Sequence, residues 1–169
     1  MKLIAHYIFT IGLLVFIVRA FTSGAGYLYI AVFSGFLVNF IIDKIGHEAH
    51  NGHPRRTFIT HSIYTAPVWG AVVTALPVVV GAYALGEQGY IQPISFSIPF
   101  LVLLGVVAGY SHLLLDAVTE AGIYTKPHHR VAIAHIPYNS VVGNGFAILV
   151  GLALAGITFQ NAYFLLHFI

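Results

Sequence analysis

The sequence predicts an all-α fold: a polytopic membrane protein built as a bundle of about five transmembrane helices, with residues 1–169 forming a single domain. Three observations carry that expectation. The chain is 59% hydrophobic and only 7% charged, with a mean hydropathy of +0.89, whereas a soluble domain carries roughly 25% charged residues. Its apolar residues fall into long uninterrupted segments, and a helix needs about 20 residues to cross the hydrocarbon core. Its basic residues gather in alternate connections between those segments.

Taken in order, the predicted spans lie near Leu3–Ala20, Tyr27–Ile42, Ser62–Leu85, Phe96–Leu115 and Val141–Phe168. The first follows Lys2 and precedes Ser23-Gly24-Ala25, a pattern that imitates a secretory leader; it reads better as a retained spanning helix. The second is short, and Gly46 makes its continuation past Ile42 an open matter. In the third, Thr60 is expected to cap the N-terminus, and Pro67 and Pro77 to kink the helix. Residues from Gly86 to Pro93 read as a turn-rich loop. There is no internal repeat and no linker. The absence of cysteine excludes disulfides, thiolate ligands and cysteine nucleophiles.

Five spans put the N-terminus, loop 43–61 and loop 116–140 on one side. Lys2, Lys44, Arg55, Arg56, Lys126 and Arg130 fall there, and only Arg19 lies opposite. The positive-inside rule makes that side cytoplasmic and the location the cell membrane, the plasma or inner membrane. Basic residues in membrane loops give no reason to expect nucleic acid. The lipid bilayer is the expected partner.

Histidines divide the same way. His6, His47, His50, His53, His61, His112, His128, His129 and His135 share the basic side, with Asp43, Glu48, Asp116 and Glu120; His167 and Glu87 do not. The positive-inside rule does not account for these residues. Ionisable groups bordering a span are costly and mark sites facing the protein interior. His112 and Asp116 are four apart and share one helix face, together with Gly105 and Gly109, a small-xxx-small pair that brings helices close. Asp43 and His47 repeat the spacing, with Gly35 and Asn39 continuing the stripe. The third span opens with Thr60-His61-Ser62. Asp43, His47, His61, His112 and Asp116 are therefore the expected metal ligands, with His6 as a sixth candidate one turn into the first helix. Nitrogen and oxygen donors suit a divalent metal, zinc first, with iron or manganese as alternatives. The loop histidines His50, His53, His128, His129 and His135 read as solvated.

Arg55 and Arg56 precede the third helix, where guanidinium groups and free backbone N–H groups suit an anionic phosphate; anchoring the loop at headgroups is the plainer alternative. Glu120, one turn beyond Asp116, is a candidate to orient a ligand or act as general acid or base.

With these residues in view, the chain resembles the membrane-bound metal-dependent hydrolase family, also called LexA-binding, inner-membrane-associated hydrolases. The likeness rests on His6, the Asp/His cluster after the second span, an arginine before Thr60-His61-Ser62, and His112-Leu-Leu-Leu-Asp116 followed by Thr119 and Gly122. Where that family carries Asp-x-Asp-His, this chain has Asp43-Lys44-Ile45-Gly46-His47, one carboxylate fewer. The resemblance implies a bacterial or archaeal membrane hydrolase. The expected reaction is hydrolysis of a phosphoester on a lipid headgroup, with Arg55 or Arg56 stabilising charge on phosphate oxygens. A non-catalytic subunit of a larger membrane complex or a homo-oligomer is the rival reading, with the Asp/His cluster as a structural metal or polar staple. Transport fits less well, because the polar groups sit on one side only.

Overall fold

The computed structural model describes residues 1–22, 24–50, 53–87 and 97–168, and the side chains of these except at 49, 50, 53–55, 86, 87 and 158–168. The order of elements is α1 (Leu3–Phe21), α2 (Ala25–Gly46), β1 (His47–His50), β2 (His53–Arg56), α3 (Ala66–Glu87), α4 (Ile98–Ala117), β3 (Ile123–Lys126), β4 (His129–Val131) and α5 (Val141–Phe168). Helices α1, α2, α3 up to Leu85, and α4 are each long and apolar enough to cross a membrane, and α5 is apolar over its described part to Ile157. The chain is an all-α membrane protein.

The core lies where α1, α2 and α4 meet, with Leu14, Val18, Val38, Ile42, Leu101 and Leu104 buried between them. Helix α3 packs on α4, and α5 packs on α1. Outward faces stay apolar, as at Val72, Leu76 and Tyr83 of α3 and Phe146 and Leu149 of α5, which suits a hydrocarbon solvent. Between such helices there is little hydrophobic drive to associate, so close backbone contact has to supply it. Gly105 and Gly109 of α4 lie against Gly70 and Ala66 of α3, and Gly12 of α1 lies against Gly151 of α5; a Cβ at any of these glycines would collide with backbone oxygen across the interface. We expect Gly105→Ala to lower stability by about 1–3 kcal/mol, the usual cost of overpacking. Gly81→Ala, where a Cβ meets nothing within 4 Å, serves as control. Thermal midpoints in detergent check the contrast, and equal midpoints would contradict the packing argument.

Several local expectations need correction. Helix α3 begins at Ala66, not Ser62, because residues 58–65 form turns in which Ser62 Oγ accepts the N–H groups of Tyr64 and Thr65. Thr60 is therefore not an N-cap; its hydroxyl is taken by His61 Nδ1 at 2.8 Å. Pro67 falls in the first turn of α3, where it displaces no hydrogen bond, and the helix continues through Pro77. Helix α2 does persist to Gly46, and the glycine is needed there: a Cβ would collide with Thr60 and His61. The expected loop from Gly86 to Pro93 is helical to Glu87; residues 88–93 lie outside the described residues.

Both long connections on the basic side fold into antiparallel hairpins, β1–β2 and β3–β4. The second clips onto the turn before α3: Tyr124 N–H donates to His61 O at 2.9 Å, and Ile63 N–H donates to Tyr124 O at 3.1 Å. The start of α1, the ends of α2 and α4, and the turn carrying His61 thus meet at one end of the bundle.

Candidate metal centre

Four of the expected ligands converge. His61 Nε2 lies 3.6 Å from Asp43 Oδ1 and 3.7 Å from Asp116 Oδ2. His112 Nε2 lies 3.6 Å from Asp43 Oδ1 and 3.2 Å from Asp116 Oδ2. A tetrahedral ion with ligands at about 2.0–2.1 Å separates its donor atoms by roughly 3.3–3.4 Å, so these four edges have the dimensions of a first coordination sphere. His61, His112 and Asp116 are fully buried, and Asp43 is 22% exposed. Among the described residues, His61 Nε2, His112 Nε2 and Asp116 Oδ2 are buried without a hydrogen-bond partner. Unpaired buried polar atoms cost about 1–3 kcal/mol each, and three of them aimed at one point fit a cation.

The far side of each ring is spoken for. Asn39 Nδ2 donates to Gly35 O at 2.6 Å, which turns Asn39 Oδ1 toward His112 Nδ1 at 2.8 Å. That carbonyl oxygen can only accept, so the proton sits on Nδ1 and the Nε2 lone pair faces the carboxylates. Thr60 Oγ1 lies 2.8 Å from His61 Nδ1, and by accepting that N–H it would leave the Nε2 lone pair of His61 facing the carboxylates as well. Burial pushes the His61 pKa down to about 4, against the opposing pull of Asp43, so its ring is neutral at pH 7. Partners on the second ring nitrogen fix the tautomer and orientation of metal-binding histidines, and losing one typically costs 10–100-fold in affinity. Asn39→Leu is accordingly expected to weaken metal binding by about that factor while leaving the helices in place. Titration with Zn²⁺ against a competing chelator measures it, and unchanged affinity would remove Asn39 from the design.

Arg56 is placed otherwise than expected. Its buried guanidinium donates to Asp116 Oδ1 at 2.5 Å, to Gly122 O at 3.0 Å and to Thr119 Oγ1 at 3.3 Å. It grips the end of α4 instead of standing free for a substrate phosphate. The spacing Asp116–Thr119–Gly122 thereby acquires a physical reason: all three line one guanidinium. Gly122 has φ +62°, a left-handed turn that glycine adopts without strain. The side chain of Arg55 lies outside the described residues.

His6 is buried in the cluster, with its ring stacked on His112 at 4.3 Å and Nε2 3.2 Å from Asp116 Oδ1. It forms a second set of close donors with His112 and Asp116. The Oδ1 it faces is already held by Arg56. A divalent ion about 4 Å from a guanidinium would meet repulsion of roughly 8 kcal/mol at an effective dielectric of 20, so the geometry favours His6 as an orienting partner of Asp116 over a further ligand. His47 sits at the rim. Its Nδ1 donates to the backbone oxygen of Asp43 at 2.6 Å, and its ring is 5.2 Å from His61; it belongs to neither compact donor set among the described residues. Glu120 is also displaced. Helix α4 ends at Ala117, and Glu120 is exposed on the following turn instead of stacking beneath Asp116. Arg130 packs over the Tyr124 ring and leaves Asp116 to Arg56.

The profile of one protein family matches residues 1–115. The chain belongs to DUF1286, a family of proteins of unknown function. The DUF1286 match spans α1 to α4 and takes in His6, Asn39, Asp43, Arg56, His61 and His112, stopping one residue short of Asp116. No curated protein and no solved structure matches the DUF1286 chain.

Proposed function

We propose that this DUF1286 protein is a membrane-embedded, metal-dependent hydrolase whose site lies at the cytoplasmic face and acts on phosphoesters. One observation carries the reading: buried, unpartnered nitrogen and oxygen atoms of His61, His112 and Asp116, with Asp43 Oδ1 3.6 Å from both Nε2 atoms. Zinc suits this donor set first, with iron or manganese as alternatives. The resemblance to the membrane-bound metal-dependent hydrolases through His6, Thr60-His61-Ser62 and His112–Gly122 supports it. Placement of six of the seven basic residues in connections at the site's end supports the cytoplasmic assignment.

Asp43, His61, His112 and Asp116 would hold a divalent cation, which would supply Lewis acidity and the activation of water near neutral pH. The chain's own residues do the rest. Asn39 and Thr60 present the two Nε2 lone pairs. Arg56 and His6 hold Asp116 Oδ1 so that Oδ2 faces inward. Asp43, 22% exposed, is the only one of the four that is not fully buried. Four protein ligands make the closed pattern of a structural site, whereas catalytic sites keep a position open, so catalysis here requires a further position for water beside the four, and turnover is what separates it from the rival reading of a structural staple.

The test uses the full chain purified in detergent. We expect about one equivalent of zinc, iron or manganese by elemental analysis, and hydrolysis of bis-p-nitrophenyl phosphate that EDTA abolishes and the lost metal restores. Bound metal without turnover of mono- or diester probes would overturn the hydrolase reading and leave a structural ion. No bound metal under any loading condition would overturn both.

A further inference from the structure

An apolar groove of about 620 Å³ runs down the outside of the bundle beside the metal centre, within the roughly 300–1,000 Å³ typical of small-molecule sites. Its upper end reaches Leu115 and Val118, which flank Asp116 in sequence. It descends past Phe9 to Val150 between α1, α4 and α5. From Val142 to Val150 the α5 wall is about 12 Å long at 1.5 Å per residue. Its wall of residues 138–144 is stitched in place: Asn144 accepts from Lys2 N–H and donates to the carbonyls of Tyr138 and Ser140.

We infer that this groove seats one hydrocarbon chain of an anionic amphiphile whose phosphate head is presented to the metal centre. This inference rests on the hydrolase reading for the head and on the groove alone for the tail. Three observations select the occupant. The groove lies along α1 and α4, both long and apolar enough to span the membrane, and the apolar α5, so what surrounds it is lipid hydrocarbon, not water. Its long axis runs from the polar end of the bundle toward the membrane interior, as an acyl chain lies when its headgroup is at the interface. Its upper end is lined by Leu115, next to Asp116 in the chain, and by Met1, whose ammonium lies 3.4 Å from Asp116 Oδ1. A tail held there converts lateral diffusion in the bilayer into a fixed approach of the head.

The experiment uses the full chain, metal-loaded in detergent, and a long-chain acyl phosphate ester carrying a diazirine near the chain terminus. Labelling is expected on peptides containing Phe9, Leu114 or Val150. Ala134→Trp, at an exposed lining position, fills the groove and should cut labelling by about tenfold or more. Val79→Trp on the outward face of α3 should leave it unchanged. Metal content reports that each variant is folded. Labelling spread evenly over outward faces, or insensitive to Ala134→Trp, overturns the inference. So does a stable dimer that Ala134→Trp dissociates, since a second copy would then cover the groove. Turnover of soluble phosphoesters that Ala134→Trp leaves intact, with no groove labelling, overturns the groove and keeps the hydrolase. Groove labelling without turnover of any ester does the reverse.

Discussion

His112→Ala is expected to weaken metal binding by about a hundredfold or more and to abolish ester hydrolysis while the helices remain assembled. His112 is shared by both compact donor sets, His6–His112–Asp116 and Asp43–His61–His112, so no rearrangement among the remaining residues replaces it. Four-ligand zinc sites in small domains bind with an apparent 10–16 kcal/mol. Sharing that equally gives about 3 kcal/mol per ligand, or a loss in affinity of about a hundredfold or more. The fold should tolerate the change because His112 Nε2 makes no hydrogen bond; what goes is the bond to Asn39, the ring contacts with His6 and His61, and the approach to the Asp43 and Asp116 carboxylates. Elemental analysis and the thermal midpoint, read together with exposed His128→Ala as control, separate the two effects. Unchanged zinc affinity of His112→Ala against a competing chelator would remove the centre as described.

Much of this arrangement was legible in the sequence because helices carry spacing into space. His112 and Asp116, four residues apart, had to share a face, and Gly105 and Gly109 on that face had to meet a neighbouring helix closely. Both followed from the chain alone. What did not follow depends on turns and hairpins. Thr60 before an apolar segment has the appearance of a cap, and only the turn at 58–65 directs its hydroxyl to His61. Arg56 reads as a free cation beside a helix start. Its capture by Asp116, Thr119 and Gly122 requires the β1–β2 hairpin to deliver it across sixty residues of chain. Asn39 stood on the predicted stripe, yet its role as the acceptor for His112 needed the relative rotation of α2 and α4, which no periodicity fixes. Glu120 failed for a simple reason: the helical repeat that justified it stops at Ala117.

Asp116→Ala is expected to do more damage than the loss of a ligand, and the difference exposes what Arg56 is for. Asp116 is wholly buried and Arg56 nearly so. Removing the carboxylate leaves a guanidinium in a low-dielectric interior with only Thr119 Oγ1 and Gly122 O as partners. Breaking a buried pair in this way costs about 3–5 kcal/mol, on the order of 10 °C in thermal midpoint for a chain of this length. Replacing both members with apolar residues of similar shape, Arg56→Met with Asp116→Leu, is often neutral in such pairs, so the double variant should recover most of the midpoint. It should still bind metal more weakly, by about a hundredfold or more, because Oδ2 of Asp116 is gone. Arg56→Met alone completes the test. Without the guanidinium, Asp116 keeps His6 and the Met1 ammonium, 3.4 Å from Oδ1, but loses its strongest neighbour, and a bound cation compensates a larger share of its charge. The metal-free form should therefore fall by several degrees more than the zinc-loaded form, measured by the same melt with and without EDTA. Equal losses in both forms would mean that Arg56 merely ties α4 to the hairpin. An unequal loss identifies it as the group that orients Asp116 for the ion, a positioning residue and not a substrate clamp.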